Sequence, residues 1–248
     1  MNIDEWLEHW YPQIVKELSL DPSKDVEAAE LASKLIEGYT KTEPEFAPGF
    51  TCFVFGAGPS LTKQLENISK LREKKSLWFA ADGAARALLQ FGCPRPDAVV
   101  TDLDGLSLEE ILRMTDTTFF VHAHGDNIPL IERALPEMVS RGFRVVPTCQ
   151  CRPMGAVKNY FGFTDGDRAA WICRGLGAER IVLVGMDFGS EPGAFSKPSG
   201  AVVDLRRKAL KLNIGERLVR RLAQEMEVVS LEGSKRIDGI KQVPLDAL

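Results

Sequence analysis

Residues 96–105 read PDAVVTDLDG. A short apolar run, Ala98-Val99-Val100, lies between Pro and Gly and predicts a buried strand. It ends in two acids, Asp102 and Asp104. In an open parallel sheet, ligands bind just beyond the carboxyl ends of the strands. The two acids therefore stand where a site would form. Carboxylates one residue apart repel each other unless they share a cation, and hard oxygen ligands suit Mg²⁺. The same residues also fit a loop with two solvated acids, or a helix N-cap.

On either side of this stretch, short apolar runs alternate with helical patterns. The runs are 52–55, 77–80, 98–100, 119–121, 145–146, 181–184 and 228–231. Candidate helices lie at 61–70, 84–91, 108–114, 128–141, 167–174 and 204–226. That alternation predicts an α/β fold: a Rossmann-like, doubly wound, mostly parallel sheet with helices on both faces. The catalytic domain is expected at 48–234, and 235–248 carries so little pattern that a surface tail is expected there.

Residues 1–47 follow a different rule. Trp6, Trp10, Ile14, Val15 and Leu18 recur at helical spacing, with Pro12 expected to kink or split the helix. Asp21-Pro22 offers an N-cap and a first-turn Pro for a second helix carrying Ala28, Ala29, Leu31, Ala32, Leu35 and Ile36. A small helical N-terminal subdomain is expected, joined by a linker at 42–49.

The chain has 248 residues, 44% hydrophobic and 27% charged, which is ordinary globular composition. A net charge of −4 gives no overall basic field for nucleic acid. No apolar run approaches the ~20 residues of a membrane span. The acidic start MNIDEWLEHW is unlike a signal peptide, so a cytoplasmic protein is expected. Five scattered cysteines make a poor zinc signature, and Cys52 and Cys173 read as small core residues.

Polar residues gather directly after the predicted strands. Gly56-Ala57-Gly58-Pro59-Ser60 follows the first and opens a helix, as a phosphate cradle does, although Ser60 also fits a plain N-cap. Asp82-Gly83 follows the second, His122-Ala123-His124-Gly125-Asp126 the fourth, Thr148-Cys149-Gln150 the fifth and Gly185-Met186-Asp187 the sixth. If Asp82, Asp102, Asp104 and Asp126 converge, they need one or two Mg²⁺ to stay ionised together. Each also fits a cap of its own helix. His122 and His124 are expected to face opposite ways, one toward phosphate or acting as an acid, the other structural. In GFTDGDRA, Thr164 or Asp165 caps a helix or meets an amidine-like edge of a substrate. The basic run after Ser196, with Lys197, Arg206, Arg207, Lys208 and Lys211, is a solvated face or a loop that closes over phosphates.

Together, FGAGPSL, ADGA, PDAVVTDLDG, HAHGDN, GFTDGDRA and GMDFG closely resemble the archaeal 6-hydroxymethyl-7,8-dihydropterin pyrophosphokinases, over about 53–211. A more distant likeness is to thiamine pyrophosphokinases, from which this chain departs at Thr101, where they have Gly, and Gly105, where they have Ser. The resemblance implies transfer of diphosphate from ATP to the hydroxymethyl oxygen of the reduced pterin, with AMP released, in a folate- or methanopterin-type pathway. It implies that Asp102 and Asp104, with Asp82 and Asp126, hold Mg²⁺. Gly56, Ala57, Gly58, Pro59 and Ser60, with Asp82 and Gly83, take the nucleotide phosphates. Gln150, Thr164, Asp165 and Asp167 lie toward the pterin or the triphosphate, and Lys197 closes over the phosphates. Asp126 and His124 are candidates for the proton acceptor. The implied partners are small molecules, with no nucleic acid and no membrane, and a homo-oligomer is left open. Two other readings compete: a haloacid-dehalogenase-like phosphatase with Asp102 as nucleophile and Asp104 as acid/base, and a non-catalytic nucleotide-binding module.

Overall fold

The computed structural model describes residues 1–42, 46–68, 76–189, 193–196 and 204–248. The chain begins with α1 (Ile3–Glu5), a π-helical turn (Trp6–Trp10), α2 (Tyr11–Leu18) and α3 (Pro22–Leu35). There follow β1 (Phe50–Phe55), α4 (Leu61–Ile68), β2 (Ser76–Ala81), α5 (Asp82–Gln90), β3 (Ala98–Thr101), α6 (Leu108–Leu112), β4 (Thr118–Ala123), α7 (Ile128–Ser140) and β5 (Val145–Cys149). The last part holds α8 (Asp165–Gly175), β6 (Ala178–Val184), α9 (Leu205–Leu222), β7 (Glu227–Leu231) and β8 (Lys241–Val243).

The strands form one sheet in the order β5-β4-β3-β2-β1-β6-β7-β8. Among the described residues every ladder between these strands is parallel. The chain winds outward from β1 to β5, then crosses back to β6 on the other side of β1. The switch point of this doubly wound sheet is thus between β1 and β6. Strand alternation divides the core in two. Phe53, Phe55, Trp78 and Phe119 pack on one face with α3, α4, α5 and α7. Cys52, Val54, Phe79 and Phe120 pack on the other with α2, α8 and α9. Cys52 and Cys173 are fully buried, as expected, and are joined as a disulfide between β1 and α8.

Two expectations change. The N-terminal helices are present, but they share their core with the sheet: Ala28, Ala29 and Ala32 belong to one face, Trp6, Tyr11 and Ile14 to the other. Pro12 falls at the start of α2 directly after the π turn, and the chain stays helical through it. The expected tail at 235–248 contains β8, which pairs with β7 through Ser230 and Gln242. Ile237, Ile240 and Val243 are buried there. Three residues are too few to show an alternating pattern, so only the ladder reveals this strand.

Phe119, the second residue of β4, is fully buried. Phe119→Ala should lower unfolding stability by about 3–5 kcal/mol. Leu205, which is 56% exposed, should change it by about 0.5 kcal/mol or less when replaced by Ala. Urea denaturation of the two variants checks the difference.

Candidate active site

The carboxyl ends of β1 to β6 open onto one cleft of about 580 Å³. That is within the range of small-molecule sites. Its centre is the turn after β3. Leu103 adopts a left-handed conformation, φ 71°, and its amide donates to Thr101 Oγ1 at 2.7 Å. This conformation is strained for a γ-branched residue, at a cost of about 1–3 kcal/mol. It turns the chain so that the Asp104 amide donates back to Asp102 Oδ1 at 3.1 Å. Thr101, which departs from the thiamine pyrophosphokinase pattern, therefore holds the turn.

Asp82 is the first residue of α5, and its Oδ2 accepts the Gly105 amide at 3.0 Å. A Cβ at Gly105 would press on that carboxylate, which is why glycine stands there. Arg86, paired with Glu110 at 2.6 Å, also donates to the Gly105 carbonyl and ties the turn to α5. Asp165 is the first residue of α8. Its helix crosses the sheet, packing on β1, β2, β3 and β6. These elements bring one oxygen each of Asp82, Asp102 and Asp165 within 4.8 Å of one another.

The three acids cannot all carry charge unaided. Burial pushes Asp82 well above the usual carboxylate range, and the charge of Asp102 adds to the effect. Burial raises Asp165 likewise, with Asp102 and Asp82 adding to it and buried Arg168, 3.6 Å away, opposing. Burial also disfavours ionised Asp102, but the hydrogen bond and charge of His124 and the Asp104 amide outweigh it and hold Asp102 low. Asp82 Oδ1 is buried without a hydrogen-bond partner. Three converging carboxylates, one of which has a buried oxygen without a hydrogen-bond partner, fit a hard divalent cation such as Mg²⁺.

The other expected site residues fall around this centre. Among the described residues the converging set includes neither Asp104 nor Asp126, both of which are exposed on the cleft rim. His124 stands beside Asp102, with Nε2 3.5 Å from Oδ2. His122 and His124 do not face opposite ways. Residues two apart on a strand share a face, and the two rings stack with centroids 5.8 Å apart. Gln150 is buried on the cleft wall. Thr164 lines the cleft, while Asp167 is fully buried and accepts the amides of Phe163 and Thr164 in a capping box.

The glycine-rich loop is more committed than its pattern suggests. Gly56 and Gly58 donate their amides to the carbonyls of Val184 and Gly185. The Ser60 amide and hydroxyl both go to Asp187 Oδ2 at 2.9 Å. Gly56, Ala57, Gly58 and Pro59 line the cleft, and Ser60 is turned toward Asp187. Gly83 is in contact range of the segment 193–196, where a Cβ would collide with the Phe195 carbonyl. Lys197 lies outside the described residues.

Three features escape local reading. Asp165 joins the acid cluster instead of the substrate edge alone. Arg168, 2% exposed, supplies the buried positive charge and donates to the Phe163 carbonyl. Asp25 of α3, 4% exposed, accepts from Tyr11, Gly125 and Gln150 and ties the N-terminal helices to the cleft. The motif GFTDGDRA contained the first two. Nothing local marks Asp25, which reads as an ordinary first-turn acid.

The family model described as 6-hydroxymethylpterin diphosphokinase MptE-like matches residues 27–193. A 6-hydroxymethyl-7,8-dihydropterin pyrophosphokinase of Methanothermobacter thermautotrophicus is 37% identical over 88% of this chain and 94% of its own length. Proteins of the same name from Pyrococcus furiosus and Methanocaldococcus jannaschii are 41% and 33% identical, over 80% and 94% of this chain and 83% and 100% of their own lengths. Among solved structures, the MAf glycosyltransferase of Magnetospirillum magneticum AMB-1 superposes with a TM-score of 0.55 at 18% identity. The match covers 90% of this chain but 38% of that one, so the likeness concerns the fold alone. The family match spans more than half of the chain and the named relatives align along most of it, so this protein belongs to the MptE-like 6-hydroxymethylpterin diphosphokinase family.

Proposed function

We propose that this chain transfers a diphosphoryl group from ATP to the hydroxymethyl oxygen of 6-hydroxymethyl-7,8-dihydropterin, giving AMP and the pterin diphosphate. The observation that carries the reading is the convergence of Asp82, Asp102 and Asp165 within 4.8 Å in a member of this family. The pterin oxygen attacks the β-phosphorus. A new bond forms there, the bond from β-phosphorus to the oxygen bridging to the α-phosphate breaks, and that oxygen leaves with AMP. The hydroxyl proton has two candidate acceptors at the cleft, Asp126 on the rim and His124 beside Asp102. Asp82, Asp102 and Asp165 would hold Mg²⁺, which when bound neutralises the polyphosphate charge. Lys208 and Lys211 of α9 line the same cleft and add cations for the phosphate chain. The glycine-rich end of the cleft receives the nucleotide by shape, since most of that loop's amides are already engaged. The product would feed a folate- or methanopterin-type pathway in the cytoplasm. No described helix is long and apolar enough to cross a membrane.

Three outcomes test this. Asp102→Asn should keep its circular dichroism and melting profile while Mg²⁺-dependent AMP release falls by about 10²–10³-fold. Near-normal turnover would sink the metal assignment, and ADP or phosphate as the product would sink the reaction type. Free Mg²⁺ at about 100 times its Kd should raise the melting temperature by about 5–10 °C, and Asp165→Asn should lose most of that rise. Asp126→Ala, on the exposed rim, should lower turnover by about tenfold or less, well short of the Asp102 effect. Steady-state assays of the two variants side by side read this directly.

A further inference from the structure

We infer that Asp25 is a positioning residue for the reaction proposed above. Its carboxylate ties together the turns that follow β4 and β5, and through the first of them it places both candidate proton acceptors beside the acid cluster. The inference rests on the diphosphoryl-transfer reading and adds to it a residue from the N-terminal helices.

The ladder between β4 and β5 ends at the pair Ala123 and Cys149. Among the described residues no backbone hydrogen bond joins 124–127 to 150–152 beyond that pair. The main chain therefore leaves the two turns untied, and their donors need partners from elsewhere. Asp25 of α3 supplies one partner for both. Its Oδ1 accepts the Gly125 amide at 2.9 Å, and its Oδ2 accepts Gln150 Nε2 at 2.6 Å. The Tyr11 hydroxyl also donates to Oδ2, at 2.5 Å. Burial and the hydrogen bond to Asp25 keep that phenol protonated, so it remains a donor. Asp25 itself is 4% exposed and lies on the wall of the cleft.

The turn 124–127 is held at two points. Asn127 accepts the His124 amide at 3.0 Å and donates to the carbonyls of Asp102 and His122 at 2.8 and 2.7 Å. That fastens the turn to the ends of β3 and β4. Asp25 fastens it to α3, and the approach there is close: a Cβ at Gly125 would stand 2.5 Å from Lys24 Cβ. The turn carries His124, whose Nε2 is 3.5 Å from Asp102 Oδ2, and Asp126 on the cleft rim. One attachment lets a turn pivot, whereas two fix where its side chains stand. The tie also reaches the neighbouring wall, because the Gln150 side chain hydrogen-bonds the His122 ring as well.

Only a carboxylate of this size meets all three donors. Asparagine fills the same space but offers one acceptor oxygen, and its amino group would confront either the Gly125 amide or Gln150 Nε2. Asp25→Asn therefore loosens the tie with little change in packing volume.

The test joins steady-state AMP release with amide hydrogen exchange, both on the full chain. Asp25→Asn should lower kcat by about tenfold or more, with KM for ATP changed by about threefold or less. In a background carrying His124→Ala and Asp126→Ala, the same substitution should cost about twofold or less in residual kcat, since the turn no longer holds an acceptor to place. The Gly125 amide should exchange about tenfold or more faster in Asp25→Asn, while Phe120 and Val121 within the β4 ladder keep their rates. An equal kcat loss in both backgrounds would overturn the positioning role, as would a kcat unaffected by Asp25→Asn. An unchanged Gly125 exchange rate would overturn the tie itself. If Asp25→Asn does not fold, Gly125→Ala, which pushes the turn away from α3, carries the same expectations for kcat and exchange. AMP release by the unaltered protein is scored separately. Its absence defeats the proposed reaction and with it the positioning role, leaving exchange to decide the tie; normal release with no response to Asp25→Asn defeats only the inference.

Discussion

Mutual repulsion among Asp82, Asp102 and Asp165 is the constraint on which this site depends. Each acid comes from a different element: a strand end, the start of α5 and the start of α8. Held within 4.8 Å and partly removed from water, they destabilise one another's charge, and two of the three are driven toward the protonated form. The surrounding chain is arranged to withstand this. Leu103 takes a left-handed turn, Thr101 and Gly105 hold its two sides, and Arg86 fastens it to α5. Buried Arg168 supplies positive charge beside Asp165, and His124 stands beside Asp102. Strain and repulsion are thus gathered at one place and opposed by the groups around it.

The N-terminal helices belong to that arrangement. Trp6 and Tyr11 come from one face of the sheet and Asp25 from the other, and they meet at the carboxyl ends of β4 and β5. Removing them would expose both faces and release Gln150 and Gly125 together. The glycine-rich loop shows the reverse case. Its pattern suggests open amides for phosphate, but Asp187 and the carbonyls after β6 take most of them. The loop packs closely on the end of β6 at the switch point of the sheet, and both segments still line the cleft.

The residue string carried a large part of this. The alternation of apolar runs with helical stretches, and polar groups just after the runs, correspond to strands whose ends line one cleft. Strand and helix periods are properties of the local backbone, readable within about ten residues. The short β8 falls below that limit, and the facing of His122 and His124 follows from the strand period once it is applied with a spacing of two.

Which acids meet is a different kind of information. Asp25 and Gln150 are 125 residues apart, and Ser60 and Asp187 are 127 apart. Asp102 and Asp165 approach only because α8 lies across β1, β2, β3 and β6. Local periodicity therefore sufficed for the α/β class, the strand ends and the family motifs. The membership of the acid cluster, the fate of the loop amides and the role of Asp25 required the folded chain. Helix packing and sheet order place these groups in space, and no run of neighbouring residues encodes either one alone.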